Sequence, residues 1–305
     1  MRRLGFALLL IAAGAAYADD AAWEAGALWA DGNPKFTEKG SRDFQSNGPM
    51  LRSIRVSKRE LPAGETCAST LARVRGHSSG PAFELDSPGR FAGWDDFSDD
   101  RDAVDGCDGF PCKIKFNEPE SLAIAAKPKA ERLAEVLRQV ENRVRDYAKT
   151  FRRKGYDLPE DAIDPWKEFP KHGHEIPPAL LKEKPKFFAR KLKFGEGNYR
   201  PLRQVFDERT LVTKDRLVRI SRDVYTAHYF DGWGEWLEVR CAKDGKSVLV
   251  LQDLLMEFDL LKNTDFFSRI ARPKMRQGVD QESLRYQKEQ AERLFSKTAV
   301  LSAGQ

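Results

Sequence analysis

The chain has 305 residues, of which 41% are hydrophobic and 32% are charged. This apolar fraction is enough to bury a sizeable core, which excludes a disordered or collagen-like chain as the main state. Four cysteines are too few for a disulfide-rich miniprotein, and a formal net charge of +5 over 52 basic and 47 acidic residues is not a polybasic signature. Nucleic acid is therefore not an expected partner.

The chain begins with the features of a secretory signal peptide. Arg2 and Arg3 precede an apolar run, and Ala16-Tyr17-Ala18 offers a small-residue cleavage site. The apolar run is shorter than the roughly 20 residues that a spanning helix needs, which disfavours the alternative of a membrane anchor. We predict that residues 1–18 are removed and that the mature protein is soluble and exported, most simply to a bacterial periplasm.

Cysteines in an oxidising compartment predict structural disulfides, and four of them allow three pairings. The turn-forming residues 108–111 favour a bond between Cys107 and Cys112, which leaves Cys67 and Cys241 as a long-range pair. A redox-active pair is the alternative. It is disfavoured because the spacing is not C-x-x-C and because neighbouring acids would raise a thiol pKa.

Residues 19–117 are predicted to be an irregular N-terminal region with short strands. The candidate strands are residues 51–57, 82–85 and 112–116, separated by Gly, Pro, Ser and Asp. An acidic block at residues 95–108 is interpreted as a solvated loop, because its spacing lacks the pattern of a calcium-binding loop. Whether this region is a separate domain is left open.

The rest of the chain predicts an α+β domain over residues 118–297, followed by a tail at 298–305. Apolar residues spaced by four and three within 129–153 predict one long helix, and 159–185 form a proline-rich connector. Alternating strands follow up to residue 261, with Asp244-Gly245 as a hairpin turn. A helix over 263–296 is predicted to be kinked or broken near Pro273.

An antiparallel sheet packed on a long C-terminal helix is the predicted architecture. This order of elements resembles the START-like, helix-grip fold over residues 110–297. The resemblance implies an apolar cavity between the sheet and that helix, but it assigns no binding residues. The chain also resembles uncharacterised exported bacterial proteins that contain a Phe-Pro-Cys-Lys segment, here residues 110–113.

An aromatic-rich segment between two charged strands is the candidate ligand site. Its rings offer a large apolar area at the mouth of a pocket, and a histidine or tyrosine could fix a polar head group. Sheet core plus a turn is the alternative interpretation. The predicted ligand-binding residues are Tyr225, His228, Tyr229, Phe230, Trp233 and Trp236.

Three other features are interpreted conservatively. His172, His174 and Glu175 could begin a metal site, but they lack the spacing that places ligands on one helix face, so no metal or other cofactor is expected. The loop at residues 75–80, which contains His77, lacks the spacing of a phosphate-binding loop. Basic residues at 152–154 and 182–193 are interpreted as a solvated face that could also contact a membrane surface.

The function predicted from sequence is an exported periplasmic protein that binds a hydrophobic or amphipathic, lipid-like molecule between the sheet and the C-terminal helix. An envelope structural or interaction protein without a small-molecule ligand is the alternative. A hydrolase or metal-dependent enzyme that uses His228 or the pair His172 and His174 is the least favoured hypothesis, because no nucleophile motif is present.

Overall fold

The structure is a computed structural model. It describes residues 36–37, 40–47, 50–77, 82–84, 101–110, 112, 114–150, 164–172, 174–192, 202–227, 230–258, 261 and 266–295. The predicted signal peptide, residues 95–100 of the acidic block and the tail at 298–305 lie outside the described residues. Residues 101–105 of the block form a helix and not the predicted loop.

Nine strands of the described residues form one antiparallel sheet with the order β1-β2-β3-β9-β8-β7-β6-β5-β4. The strands are β1 (Phe36–Thr37), β2 (Gly40–Asn47), β3 (Met50–Glu60), β4 (Ala82–Glu84), β5 (Lys186–Leu192), β6 (Leu202–Val212), β7 (Arg216–Thr226), β8 (Phe230–Cys241) and β9 (Ser247–Phe258). Strands β5 to β9 form a meander in which each strand pairs with its neighbour in sequence.

The N-terminal region shares this sheet. Strand β3 pairs with β9 along its whole length, from Met50 opposite Glu257 to Glu60 opposite Ser247. Regions 19–117 and 118–297 therefore contribute strands to the same sheet. The predicted strand at 51–57 is also longer than expected, because its backbone groups continue to find partners on β9.

The β8–β9 hairpin is confirmed. Gly245 has a φ of +63°, which a residue without a Cβ adopts easily. The Asp244 carboxylate accepts hydrogen bonds from the backbone N–H groups of Lys246 and Ser247 at 2.9 and 3.0 Å. The Asp-Gly turn thereby fixes the register of the two longest strands.

Seven helices lie among the described residues. They are α1 (Cys67–Arg75), α2 (Arg101–Asp105), α3 (Glu118–Ala125), α4 (Lys129–Thr150), α5 (Pro165–Lys171), α6 (Pro178–Lys182) and α7 (Phe266–Phe295). The helices cover both faces of the sheet. Side chains of α1 and α7 pack on one face, called face 1 here, and α2 to α6 pack on the other, called face 2. The α+β class, with an antiparallel sheet and a long C-terminal helix, is confirmed and is compatible with a helix-grip arrangement.

Helices α4 and α7 can both be compared with the predictions from sequence. Helix α4 is confirmed, and Val140, Val144 and Tyr147 of its predicted stripe are buried. The predicted alternatives for α7 are a kink or a break near Pro273, and the break is wrong because the helix continues through Pro273. Pro273 is exposed, and water can therefore reach the carbonyl group that lacks an N–H partner one turn earlier. None of the described helices is long and apolar enough to cross a membrane.

Two disulfides are present, and they are the pairs favoured from sequence. The Cα atoms of Cys67 and Cys241 lie 5.7 Å apart, and those of Cys107 and Cys112 lie 5.0 Å apart. The first bond joins the start of α1 to the end of β8. It therefore attaches α1 covalently to face 1.

Candidate functional site

The structure separates the aromatic residues predicted to form one pocket. Tyr225 stacks against Phe116 at 5.5 Å in the cluster beneath α4 on face 2. Trp236 also lies on face 2, beneath α5. Phe230 and Trp233 lie on face 1, in the cluster that includes α7. His228 and Tyr229 lie outside the described residues.

Strand geometry explains this separation. Trp233 and Trp236 are three residues apart on β8, and successive side chains of a strand point to opposite faces. The register of β8 shifts between Phe230 and Gly232, which brings Phe230 to the same face as Trp233. The four described aromatic residues are at most 2% exposed, so they contribute to the core on both faces. Ligand binding by this segment stays a prediction.

The layer between the sheet and α7 is occupied by a buried polar network. Arg190 is 1% exposed, and its Nη2 donates to Glu235 Oε1 at 2.6 Å. The Tyr286 hydroxyl of α7 donates to the same carboxylate at 2.8 Å. The Arg190 guanidinium also lies 4.6 Å from the ring centroid of Phe206 and 5.2 Å from that of Trp233. These contacts join the helix directly to the sheet.

Glutamine side chains of α7 extend the same layer. Gln287 Nε2 donates to the Ser53 carbonyl at 2.8 Å, and Gln290 Nε2 donates to Glu235 Oε2 at 3.1 Å. The Gln252 side chain donates to the Gln287 carbonyl at 2.9 Å. In this part of the described chain, the space that the helix-grip resemblance assigns to a cavity therefore contains hydrogen-bonded side chains.

The two histidines considered for a metal site lie on face 2. His174 Nε2 lies 2.6 Å from Asp253 Oδ2, and Arg52 Nε lies 3.0 Å from each oxygen of the same carboxylate. The His174 ring lies 4.5 Å from the Trp236 ring. Burial, the main cause, and the nearby positive charge of Arg52 lower the pKa of His172. The described residues contain no group of three or more His, Cys, Asp or Glu side chains arranged for a metal ion.

A cleft opens on face 1, between the C-terminal end of α1 and strands β5 and β6. Its volume is about 380 Å³. It is open to solvent and has a mixed lining of apolar, basic and acidic groups. The lining residues are Ala72, Arg75, Gly76, His77, Glu183, Lys184, Lys186, Phe188, Glu208 and Thr210.

Local sequence signals place α1 at this cleft. Thr66 and Ser69 form a capping box at the start of the helix, each side chain pairing with the other residue's backbone N–H. Leu71 and Val74 are buried against the sheet, with Leu294 of α7 in the same cluster. The last turn of α1 is therefore held above β6 and β7, with the exposed residues of that turn along the cleft.

Strand pairing supplies the floor. Lys186 and Phe188 are two residues apart and lie on the same face of β5. Lys186 lies directly opposite Glu208 on β6. Phe188 is buried and stacks on Phe206 at 5.5 Å. The floor of the cleft thus consists of the Phe188 ring and the neighbouring side chains of the paired strands β5 and β6.

A fully buried arginine lies immediately behind Glu208 and Thr210, which form the β6 wall of the cleft. Arg219 is 0% exposed, and its Nε lies 3.1 Å both from Glu208 Oε1 and from Thr210 Oγ1. Its Nη2 donates to the Val74 carbonyl at 2.7 Å. Its Nη1 has no hydrogen-bond partner among the described residues. Arg219 thus contacts two wall residues and places a positive charge behind them.

The electrostatics of the cleft are dominated by cations. Burial, as the main cause, and the positive charges of Arg73 and Arg219 lower the pKa of His77. Arg75 and Lys184 are exposed at the opening. The arrangement can therefore hold a molecule that has an apolar part and a group that accepts hydrogen bonds.

No pattern in the sequence marks this cleft as a site. Residues 75–80 lack the spacing of a phosphate-binding loop, and the lysines at 182–193 have the pattern of a solvated face. No local signal links α1 to the segment at 183–186, because the two are more than 100 residues apart in the chain. No protein-family model, curated protein or solved structure matches the chain.

Proposed function

We propose that the protein is an exported, periplasmic binding protein that holds an amphipathic small molecule in the cleft between α1 and strands β5 and β6. The composition of the first eighteen residues and the two disulfides support export, because disulfides persist in oxidising compartments. The START-like resemblance supports the class of ligand, a lipid-like molecule, and not its position, because the resemblance implies a cavity between the sheet and α7.

The cleft itself is the observation that carries this proposal. Its volume of about 380 Å³ lies in the range of small-molecule sites, which span roughly 300–1,000 Å³. Phe188 and Ala72 offer apolar contact to an alkyl chain or ring, and the basic side chains at the opening offer contact to a polar head. The cleft lies on the same face as α7, beside the layer filled by Arg190 and Glu235.

The test is native mass spectrometry of the mature protein purified from a periplasmic extract, followed by solvent extraction of any bound molecule. Ala72→Trp places a large side chain in the cleft from an exposed helix position. Ala134→Trp, at an exposed position of α4 on face 2, is the matched control. We expect a stoichiometric adduct on the wild type and on the control, and its loss from Ala72→Trp.

Two results would count against the proposal. One is an adduct that survives Ala72→Trp, which would place the ligand elsewhere. The other is a clean apo mass for all three proteins, repeated after incubation with envelope lipids.

A second candidate is an envelope interaction protein without a small-molecule ligand. The direct hydrogen bonds of Tyr286, Gln287 and Gln290 across the sheet–helix layer favour it, since a filled interior leaves function to the surface. The basic segment from Lys182 to Lys186 could then contact a membrane surface. Apo masses throughout the experiment above would favour this candidate.

A further inference from the structure

We propose that the molecule bound in the cleft presents an acidic group, a carboxylate or a phosphate, to Arg75 and Lys184, with Arg219 as a fixed positive charge behind the wall. This inference rests on the proposed function and specifies the class of its ligand. It comes from the charge balance of the cleft, from the unfilled donor of Arg219 and from the surroundings of His77.

The charge balance favours an anion. Arg75, Lys184 and Lys186 line the cleft and Arg219 lies behind it, against the carboxylates of Glu183 and Glu208. Glu208 has the Arg219 guanidinium on one side and the cross-strand neighbour Lys186 on the other. Its negative charge is therefore compensated within the wall. The excess positive charge falls at the opening, where Arg75 and Lys184 are exposed.

Arg219 strengthens this preference. It is completely buried, so its charge acts through protein and is screened less than that of a surface side chain. One of its terminal nitrogens, Nη1, is buried without a hydrogen-bond partner among the described residues. Buried donors are normally satisfied, and an unsatisfied donor is costly. An acidic group in the adjacent cleft would lower the cost of keeping this guanidinium charged.

His77 lies in the lining of the cleft, close to the same positive charges. The charges of Arg73 and Arg219 contribute to its lowered pKa, after burial. The imidazole is therefore neutral at neutral pH and can donate one N–H to an acidic oxygen. A cationic ligand would meet a net positive charge, because Arg75, Lys184, Lys186 and the Arg219 charge behind the lining outnumber the carboxylates of Glu183 and Glu208.

The experiment compares four probes that each contain eight carbon atoms in one unbranched chain and that differ in the head group. Octanoate, octyl phosphate, 1-octanol and octylamine are titrated into the mature wild-type protein by calorimetry. We expect at least one of the two acidic probes to bind about tenfold more tightly than 1-octanol, and octylamine to bind most weakly. The relative affinities of octanoate and octyl phosphate then show which acid the cleft prefers.

Charge-removing variants identify the groups responsible. We expect Arg75→Gln with Lys184→Gln to weaken the acidic probe about tenfold and to leave 1-octanol unchanged. Lys127→Gln with Lys149→Gln is the control, because it makes the same change in net charge. Both lysines are exposed on face 2, Lys149 within α4 and Lys127 just before it. We expect the control to bind like the wild type.

The outcomes separate this inference from the proposed function. Binding that Ala72→Trp blocks, but that is equally tight for 1-octanol and the acidic probes, overturns only the acidic head. If Arg75→Gln with Lys184→Gln weakens the binding of all four probes equally, the acidic head is likewise overturned and the cleft remains the site. If none of the probes binds, or if Ala72→Trp leaves their binding intact, the cleft is not the site and both proposals fail.

Discussion

Arg219 Nε lies 3.1 Å from Glu208 Oε1, and neither side chain is more than 4% exposed. The pair joins β7 to the lining of the cleft, since Arg219 is on β7 and Glu208 lies on β6, two residues along from Thr210, the register partner of Arg219. A buried charge of this kind is stable only while its partner remains. The pair therefore links the stability of the fold to the electrostatics of the site.

The first prediction concerns this pair. Arg219→Met leaves Glu208 as a buried carboxylate without its main cation, and we expect the free energy of unfolding to fall by about 3 kcal/mol. Adding Glu208→Met removes the second charge, so the double variant recovers a large part of that loss. Urea denaturation of the wild type, the single variants and the double variant measures both effects. A single variant as stable as the wild type would contradict the account of the pair.

The second prediction compares the two disulfides. Cys67 and Cys241 are separated by 174 residues, whereas Cys107 and Cys112 are separated by 5. In the loop-entropy description, closing the long loop contributes about 5 kcal/mol and closing the short one about 2 kcal/mol. Replacing both cysteines of the long-range pair by serine should therefore lower the thermal midpoint more than the same change in the short-range pair. Equal losses, or the reverse order, would show that chain entropy does not govern these bonds.

The third prediction is a pH dependence of stability. Burial alone would raise the pKa of Asp253, but hydrogen bonds from His174 and Arg52 and their charges outweigh it and lower that pKa. A carboxylate with a lowered folded-state pKa stabilises the protein above its unfolded pKa of about 3.9, and this contribution is lost as the pH falls through the folded value. Asp253→Asn should be less stable than the wild type at pH 7, and the difference should narrow below about pH 4.

Denaturation midpoints of both proteins, measured from pH 7 down to about pH 3, test this prediction. A difference that stays constant over the whole range would mean that the ionised form of Asp253 does not stabilise the fold.

The fourth prediction concerns close packing at Gly234 on β8. A Cβ atom at this position would lie 2.8 Å from Pro165 Cβ at the start of α5 and closer still to Pro165 Cγ. Gly234→Ala should therefore force α5 away from the sheet and cost about 1–3 kcal/mol. Gly245→Ala serves as a comparison, because that turn residue has open space around it and loses only its favourable backbone conformation. A thermal midpoint unaffected by Gly234→Ala would contradict the packing described here.

Local patterns in the sequence were sufficient for the elements whose contacts are local. Helix α4 follows from apolar residues on one helical face, and the β8–β9 hairpin follows from Asp244-Gly245. Pairing between β3 and β9 has no such signal, because the strands are about 200 residues apart and nothing local specifies the partner. Strand β9 also lacks a clear alternation, because both faces of the sheet are covered and all its residues are buried.

The candidate site was harder to predict for a related reason. An aromatic segment is conspicuous in sequence, but the alternation of β8 divides Trp233 and Trp236 between opposite faces. The cleft instead combines Arg75 from α1 with Lys184 and a charge on β7, Arg219. Each of these residues resembles an ordinary surface charge in its own stretch of sequence. Only the folded chain brings them together.

A crystal structure of the mature protein grown with octanoate would locate the bound ligand. We predict electron density for the ligand in the cleft, with its alkyl chain against Phe188 and its carboxylate within hydrogen-bond distance of Arg75 or Lys184. Ligand density between the sheet and α7 beside Trp233, with the cleft empty, would contradict the claim that the cleft is the binding site.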